Sequence, residues 1–271
     1  MKDFMSGITN KLGTLEYLTA EGIGVPHCFT TRLGGVSAGY LSSLNLGLHR
    51  GDDPANVAEN FRILGEAIGF DPQMLVLTRQ VHSDIVRQVD KKDCGLYMVE
   101  GASPECDALI TCTPGVTLTV FTADCTPILL WDPVTGAVGA VHAGWRGTAA
   151  DIAGKTVRAM VSAYGCDPAG LHAAIGPNIG SCCFETDAEV PDAITAALGP
   201  AAWEDIRPSG EKFYVNLKAI NSRFLRRAGV EHIEISTACT MCEHDRFWSH
   251  RYTRGNRGAQ GAIIVCKEGN K

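Results

Sequence analysis

The stretch VTLTVFTADCTPILLWDPVTGAVGAVHAGWRG, residues 116–147, decides how the chain folds. It holds three apolar runs, VTLTVF, PILLW and AVGAV. Short apolar runs bounded by turn residues read as β-strands. TADCTP interrupts the first and second runs, and DPVTG reads as the turn between the second and third. The third run ends at His142, and a glycine-rich segment, Ala143-Gly144-Trp145-Arg146-Gly147-Thr148, follows it.

Working outward, residues 150–164 read as a helix with Ile152, Val157, Met160, Val161 and Tyr164 on its apolar face. The clearest helix lies upstream, at 54–68. Asp53 is its N-cap, Pro54 fits the first position, Val57, Phe61, Leu64 and Ile68 recur at helical spacing, and Gly69 closes it. Strands are expected at MLVLT (74–78) and near 84–89. Downstream, helices are expected near 187–198 and 217–228, the second capped by Asn216 with Leu217, Ile220, Phe224 and Leu225 inward. HIEIS (232–236) and GAIIV (261–265) read as late strands. Helices and strands mix without strict βαβ alternation, and neither GxGxxG nor GxxxxGK[ST] occurs, so the usual nucleotide cradles are absent. The expected fold class is α/β in the broad α+β sense, with mixed β-sheets packed against helices. No linker, repeat or low-complexity tract divides the chain, so a single domain over residues 1–271 is expected.

Composition narrows the function. The 271 residues are 45% hydrophobic and 20% charged, which is material for a packed core and rules out wholesale disorder. Lys+Arg number 24 against 30 Asp+Glu, a formal charge of -6, which disfavours life on nucleic acid phosphates. A bound anion must instead meet a local cluster of donors. The opening MKDFMSGITNKLG lacks a basic-then-apolar signal layout, and no apolar run is long enough to span a bilayer, so a cytoplasmic protein is expected. The eleven cysteines then read as reduced thiols, most of them packed, rather than as a disulfide framework.

Three chemistry-bearing residues sit where apolar runs stop. His82 follows LVLTRQV, Cys125 follows VTLTVFTAD and His142 follows AVGAV. Two imidazoles and a thiolate suit zinc, and three protein ligands leave a fourth position for water, as in catalytic sites. The metal would lower the pKa of that water toward ~7. Spacing alone does not establish this, because a single His or Cys at a strand end more often packs or hydrogen-bonds. The glycines after His142, the helix start beyond them and Arg146 together read as an anion or phosphate seat. Arg32, beside Gly34-Gly35, and Arg79, three residues before His82, are further phosphate candidates, and Asp124 could act as acid/base. His250-Arg251 is another candidate anion contact. Cys239 and Cys242 form a C-x-x-C without a visible second pair, and adjacent Cys182-Cys183 read as a poor chelating geometry, so packing or occasional oxidation is the expectation for these four.

Taken together, TTRLGGVSAGYLSSLNLGLHRGDD, TRQVHSD, DALIT, TADCTPILLWDP, VHAGWRGTAADI, AAIGPNIGSCCFE, FYVNLKAIN and CTMCEHDRFWSHR resemble the YfiH-like family, also called laccase-domain or polyphenol oxidase proteins. They run in order through nearly the whole chain. The resemblance implies a YfiH-like catalytic domain with zinc at His82, Cys125 and His142. It also implies purine nucleoside phosphorylase activity, with adenosine deaminase and methylthioadenosine phosphorylase activities beside it. Purine nucleosides and inorganic phosphate are then the expected small-molecule partners, with no nucleic acid or membrane and with oligomeric state open.

Two other readings stay open. The family's older label is copper-dependent phenol oxidation. Multicopper sites need many imidazoles, often as His-x-His, and this chain has only eight His, at 27, 49, 82, 142, 172, 232, 244 and 250, none two apart. A single copper on the same His₂Cys set remains chemically feasible. The other is a metal-free cysteine hydrolase or amidase editing a cell-wall precursor, with Cys125 as nucleophile and His142 or His82 as base.

Overall fold

The computed structural model describes residues 8–96, 105–267 and 269; the first seven residues of the N-terminal segment read above lie outside them. The chain opens with strands β1 (Ile8–Leu12), β2 (Leu15–Thr19) and β3 (His27–Thr30) and the helix α1 (Pro54–Ile68). Then come β4 (Leu75–Leu77), β5 (Val86–Gln88), β6 (Ala108–Thr111), β7 (Thr117–Thr122), β8 (Thr126–Trp131) and β9 (Val138–Ala143). Helices α2 (Trp145–Ala149) and α3 (Ile152–Tyr164) lead to β10 (His172–Ile175), β11 (Glu185–Thr186) and α4 (Glu189–Leu198). The chain ends with β12 (Ile206–Ser209), β13 (Lys212–Val215), α5 (Leu217–Arg227), β14 (His232–Ile235), α6 (His250–Thr253) and β15 (Gln260–Val265).

Two six-stranded mixed sheets carry the fold, in the orders β1-β2-β3-β15-β7-β4 and β14-β10-β8-β9-β6-β5; β11, β13 and β12 form a small third sheet. The large sheets pack face to face. Leu118 and Val120 of β7 and Ala262 and Ile264 of β15 meet Leu129 of β8 and Val138 and Ala140 of β9. Side chains alternate between faces along a strand. The intervening residues therefore face outward to helices: Ile263 and Val265 pack on Val57, Phe61 and Leu64 of α1. On the other side Ile128, Leu130 and Val141 pack on Val157 and Met160 of α3 and Ile220 and Phe224 of α5. Both faces of each sheet are covered, so the central strands read as continuous apolar runs.

Local expectations hold with two physical adjustments. Helix α1 has the expected bounds: the Asp53 carboxylate accepts from Ala55 N–H, and Gly69 stops the helix with φ of 90°. The helix expected over 150–164 is α3, which starts two residues later because Asp151 caps it at a left-handed φ of 59° with its carboxylate accepting Gly154 N–H; the short α2 precedes it, inside the glycine-rich segment. The three apolar runs of 116–147 are strands, but they do not form one meander. β7 joins the first sheet and β8 and β9 the second, so TADCTP is the crossover between sheets. That crossover places Asp124 and Cys125 at the rim where the sheets meet. The sequence reading assigned no strands to β1–β3, β6 or β10, nor to the third sheet. Among the described residues no helix is long and apolar enough to cross a membrane.

Leu129 is fully buried between the sheets. Leu129→Ala should lower unfolding free energy by about 2–5 kcal/mol, the range for a buried leucine deletion. Urea denaturation followed by circular dichroism would read this as a lower midpoint with little change in slope.

Candidate metal centre

The site is built at one rim of the paired sheets, from two loops and the end of strand β9. One ligand-type atom from each of His82, Cys125 and His142 lies within 4.8 Å of the others. Cys125 Sγ is 3.9 Å from His82 Nε2, and the two imidazole rings meet edge to face with centroids 5.0 Å apart. His142, the penultimate residue of β9, is buried, while His82 is exposed, so the cluster has a protein side and an open side.

Its organiser is Asp107, which sequence reasoning passed over. The residue is fully buried just before β6. Its carboxylate accepts from the backbone N–H groups of Val81 (3.2 Å), His82 (3.1 Å) and Ser83 (2.7 Å) and from the Ser83 hydroxyl (2.7 Å). It also accepts from His142 Nδ1 at 2.8 Å, while its own carbonyl accepts His142 N–H at 2.7 Å. This pairing fixes the His142 tautomer, leaving Nε2 free to face the thiol, an arrangement common behind metal-ligating histidines. Burial alone would raise the Asp107 carboxyl, but the bonds from His142 and Ser83 outweigh it and hold it down at about 2. Only the Asp at the head of DALIT, a polar residue against an apolar strand, hinted at this role.

Backbone strain and clearance complete the geometry. His82 and Asp124 are non-glycine residues at positive φ, 58° and 91°. Such strain persists where surrounding bonds over-determine it. Gln80 supplies part of that constraint, its amide donating to Phe121 O (2.7 Å) and accepting from Phe121 N–H (2.6 Å). Gly144 and Gly147 are required by close approach: a Cβ on Gly144 would lie 2.8 Å from His82 Cδ2, and one on Gly147 would lie 2.9 Å from Ser83 O. The glycines of HAGWRG thus make room for the His82 loop, and α2 behind them has five residues.

The Cys125–His142 pair is polarised. Burial pushes the thiol up, but the facing His142 and the hydrogen bonds from both histidines pull it well below the usual thiol range. Burial lowers His142, and Cys125 and Asp107 more than restore it, so its imidazole gains protons at higher pH than usual. The sulfur is thereby eased toward its thiolate, the form in which a cysteine ligates a cation.

Asp124 sits in the crossover, buried, with both carboxylate oxygens occupied. Oδ1 accepts from the Thr240 hydroxyl (2.6 Å) and Oδ2 from Arg251 N–H (2.6 Å). The three arginines expected to seat phosphate each have other partners. Arg32 stacks on Trp248 at 4.0 Å and donates to the carbonyls of His244 and Ser42. Arg79 pairs with Glu105. Arg146 stacks on Trp145 and lies 3.7 Å from Glu189 on the exposed surface. A different cationic group stands nearer the centre. The Arg257 guanidinium is depressed to about 10 by burial and by Arg50, with Cys125 and Asp124 opposing. Its buried Nε has no hydrogen-bond partner. Arg50, Arg251, Arg257 and Asp124 also act on His250. Sequence reasoning found His250 and Arg251 but not Arg50 or Arg257, which are 207 positions apart and carry no shared motif.

The remaining histidines do not gather into a multicopper cluster. His27 bonds to Ala20 and Val25, His172 stacks on His232, and His244 stacks on Tyr252. All eleven cysteines are free thiols.

Comparisons place these features in a family. The family described as multi-copper polyphenol oxidoreductase laccase matches residues 26–267. A Geobacillus stearothermophilus protein named purine nucleoside phosphorylase YlmD is 40% identical over 246 residues, covering 88% of this chain and 89% of that protein. A Deinococcus radiodurans protein named purine nucleoside phosphorylase is 40% identical over 253 residues, covering 92% of each. The crystal structure of YlmD from Geobacillus stearothermophilus superposes with a TM-score of 0.90 at 38% identity, covering 97% of this chain and 100% of that one.

Two outcomes test the geometry. Asp107→Asn should weaken metal retention at the His–Cys–His centre about 10- to 100-fold, the usual effect of removing a carboxylate behind a ligating histidine; competition with a chromogenic chelator would measure it. The same carboxylate carries a pH signature. Its folded pKa lies below its ordinary value, so it stabilises the fold above 3.8, and that contribution is lost as pH falls toward about 2. The acid limb of wild-type stability should flatten over that window in Asp107→Asn, read from urea midpoints.

Proposed function

The chain belongs to the polyphenol oxidoreductase laccase family, and from that premise we propose that it is a zinc-dependent purine nucleoside phosphorylase working at His82, Cys125 and His142. The convergence of two imidazoles and one thiolate, with Asp107 behind one of them, carries the reading. The donor set fits zinc: two nitrogens and a sulfur, a histidine oriented from behind, and one side open to solvent. Copper accepts the same donors, and a single-copper phenol oxidase is the weaker alternative, since the histidines outside the centre are engaged elsewhere. A divalent ion held there supplies Lewis-acid stabilisation of negative charge. Adenosine deamination and methylthioadenosine phosphorolysis are the finer part of the proposal. They rest on the family resemblance and on the same open-sided centre.

The residues divide the work. In phosphorolysis a phosphate oxygen bonds to the ribose anomeric carbon as the glycosidic C–N bond breaks, and the purine leaves with the bonding pair. Phosphate therefore needs cations beside the centre. Arg257, whose Nη1 donates to Gly258 O but whose buried Nε has no partner and whose charge acts on Cys125, fits this role better than Arg32, Arg79 or Arg146, which lack that link to the thiol. Arg50 extends the same positive face, and His250 lies beside it with a pKa lowered by burial and by these cations, so it offers a neutral imidazole. Asp124 is assigned to positioning: it holds the start of α6, and with it the His250 side of the pocket, through Arg251 N–H.

One observation favours a second reading. Asp107, His142 and Cys125 are ordered like the acid, base and nucleophile of a cysteine hydrolase, and the thiol is pulled below its usual range. A metal-free amidase acting on a cell-wall precursor would use that arrangement directly.

Cys125→Ala and His142→Ala should each abolish phosphate-dependent release of hypoxanthine from inosine while preserving the circular dichroism spectrum. If chelator-stripped wild type keeps full phosphorolysis, the metal reading fails; if stripping instead uncovers amide cleavage that iodoacetamide blocks, the hydrolase reading replaces it. Arg257→Met should raise the KM for phosphate by about 10- to 100-fold, from ~1.5–3 kcal/mol for a hydrogen bond to a charged group, with a smaller effect on the KM for inosine.

A further inference from the structure

We propose that the chain carries a second metal site, a four-thiolate zinc centre formed by Cys182, Cys183, Cys239 and Cys242. Each half looks unpromising by itself: two adjacent cysteines, and a C-x-x-C without a partner pair. The fold brings them together. Sγ atoms of all four lie within 4.8 Å of one another, with Cys242 Sγ at 3.5 Å from Cys182 Sγ and 3.4 Å from Cys183 Sγ. Tetrahedral zinc with Zn–S bonds of about 2.3 Å puts neighbouring sulfurs roughly 3.8 Å apart, close to this spacing. A disulfide would need sulfurs about 2.05 Å apart, and all four are free thiols.

Topology explains the meeting. β10 and β14 are parallel neighbours, so their chains leave the sheet at the same end. Ser236 N–H bonds to Ile175 O, and Asn178 bridges Cys239, which keeps the two departing segments side by side. Cys182 and Cys242 each come seven residues after the last residue of their strands. Adjacent Cys182 and Cys183 can both reach Cys242 because the chain turns there, with Cys183 N–H on Gly180 O.

The surroundings suit a thiolate at Cys239. Gly180 N–H donates to Cys239 Sγ at 3.1 Å, and the nearby backbone N–H groups of Met241 and Cys242 also favour charge on that sulfur. Successive N–H groups turned onto the first sulfur of a C-x-x-C neutralise part of its charge. Lys218 adds a buried ammonium within electrostatic reach of Cys239 and Cys182, anchored on the carbonyls of Ser236 and Ala238 at 2.6 and 2.7 Å. Four thiolates around one divalent cation leave a net charge of -2, which this lysine partly offsets. Four sulfurs close the coordination sphere, so the centre is structural, with no open position for substrate.

Its position gives it a task. Asp124 takes a bond from Thr240, inside the C-x-x-C turn, and its carbonyl accepts Ile179 N–H from the other segment. The zinc clip thereby ties together the two segments that hold the crossover bearing Cys125.

Cobalt substitution in the full-length Cys125→Ser chain tests this, because that change removes the thiolate of the His–Cys–His centre. Under reducing, anaerobic conditions the chain should bind one Co²⁺ with intense thiolate-to-cobalt charge-transfer bands, which Zn²⁺ should bleach by displacement. Further Cys242→Ser or Cys182→Ser substitution, both at exposed positions, should each remove or strongly weaken those bands. No charge-transfer bands in reduced Cys125→Ser, or bands unchanged in both added variants, would overturn the proposal. So would non-reducing peptide mapping that finds these cysteines disulfide-paired and metal-free in freshly isolated protein.

Discussion

A single buried carboxylate, that of Asp107, holds the centre in place. It satisfies three successive N–H groups of the 81–83 loop, a serine hydroxyl and the Nδ1 of His142. An unpaired charge at such depth would be prohibitive, so the surrounding chain must arrange itself to deliver these donors. The left-handed backbone of His82 is one consequence, since it turns three consecutive amides toward one acceptor. The same bonds that solvate Asp107 thus set the distance between two imidazoles 60 residues apart, one on a loop and one on β9.

The second constraint is the crossover between sheets. Apolar strands β7 and β8 are joined by three residues, Ala123–Cys125, yet they pair in different sheets. A connection that short between two packed sheets leaves little backbone freedom. Asp124 absorbs the change of direction at a φ of 91° while its carboxylate and carbonyl bond to neighbouring segments. Cys125 follows directly, so its thiol is aimed by the junction of the two sheets and not by a mobile loop. Core packing and site geometry are therefore one problem. Loosening the inter-sheet layer moves the thiol, and the four-sulfur cluster secures the same junction from outside.

Charge is distributed to match. The chain as a whole is acidic, at -6, yet Arg257 lies within electrostatic reach of Cys125, and Arg50 within reach of Arg257. A local positive face within an acidic surface selects a small anion and discourages an extended polyanion.

Sequence alone determined the main helices, the central strands and the three donors. Helix α1 was legible to its ends because its cap, proline and closing glycine act within a few residues. The runs of 116–143 were legible as strands because burial on both faces writes itself as uninterrupted apolar sequence. His82, Cys125 and His142 were visible at the ends of such runs, and family motifs pointed to the same three. Periodicity reports whether a residue is buried, however, and not against what. Tertiary structure alone decided that β7 and β8 part company and that Asp107 reaches both histidines across 25 and 35 residues of chain. It also brought Arg257 within electrostatic reach of the thiol, and united two cysteine pairs that looked inert when apart. Each of these depends on which distant segments lie side by side, and strand pairing sets that only once the whole chain has folded.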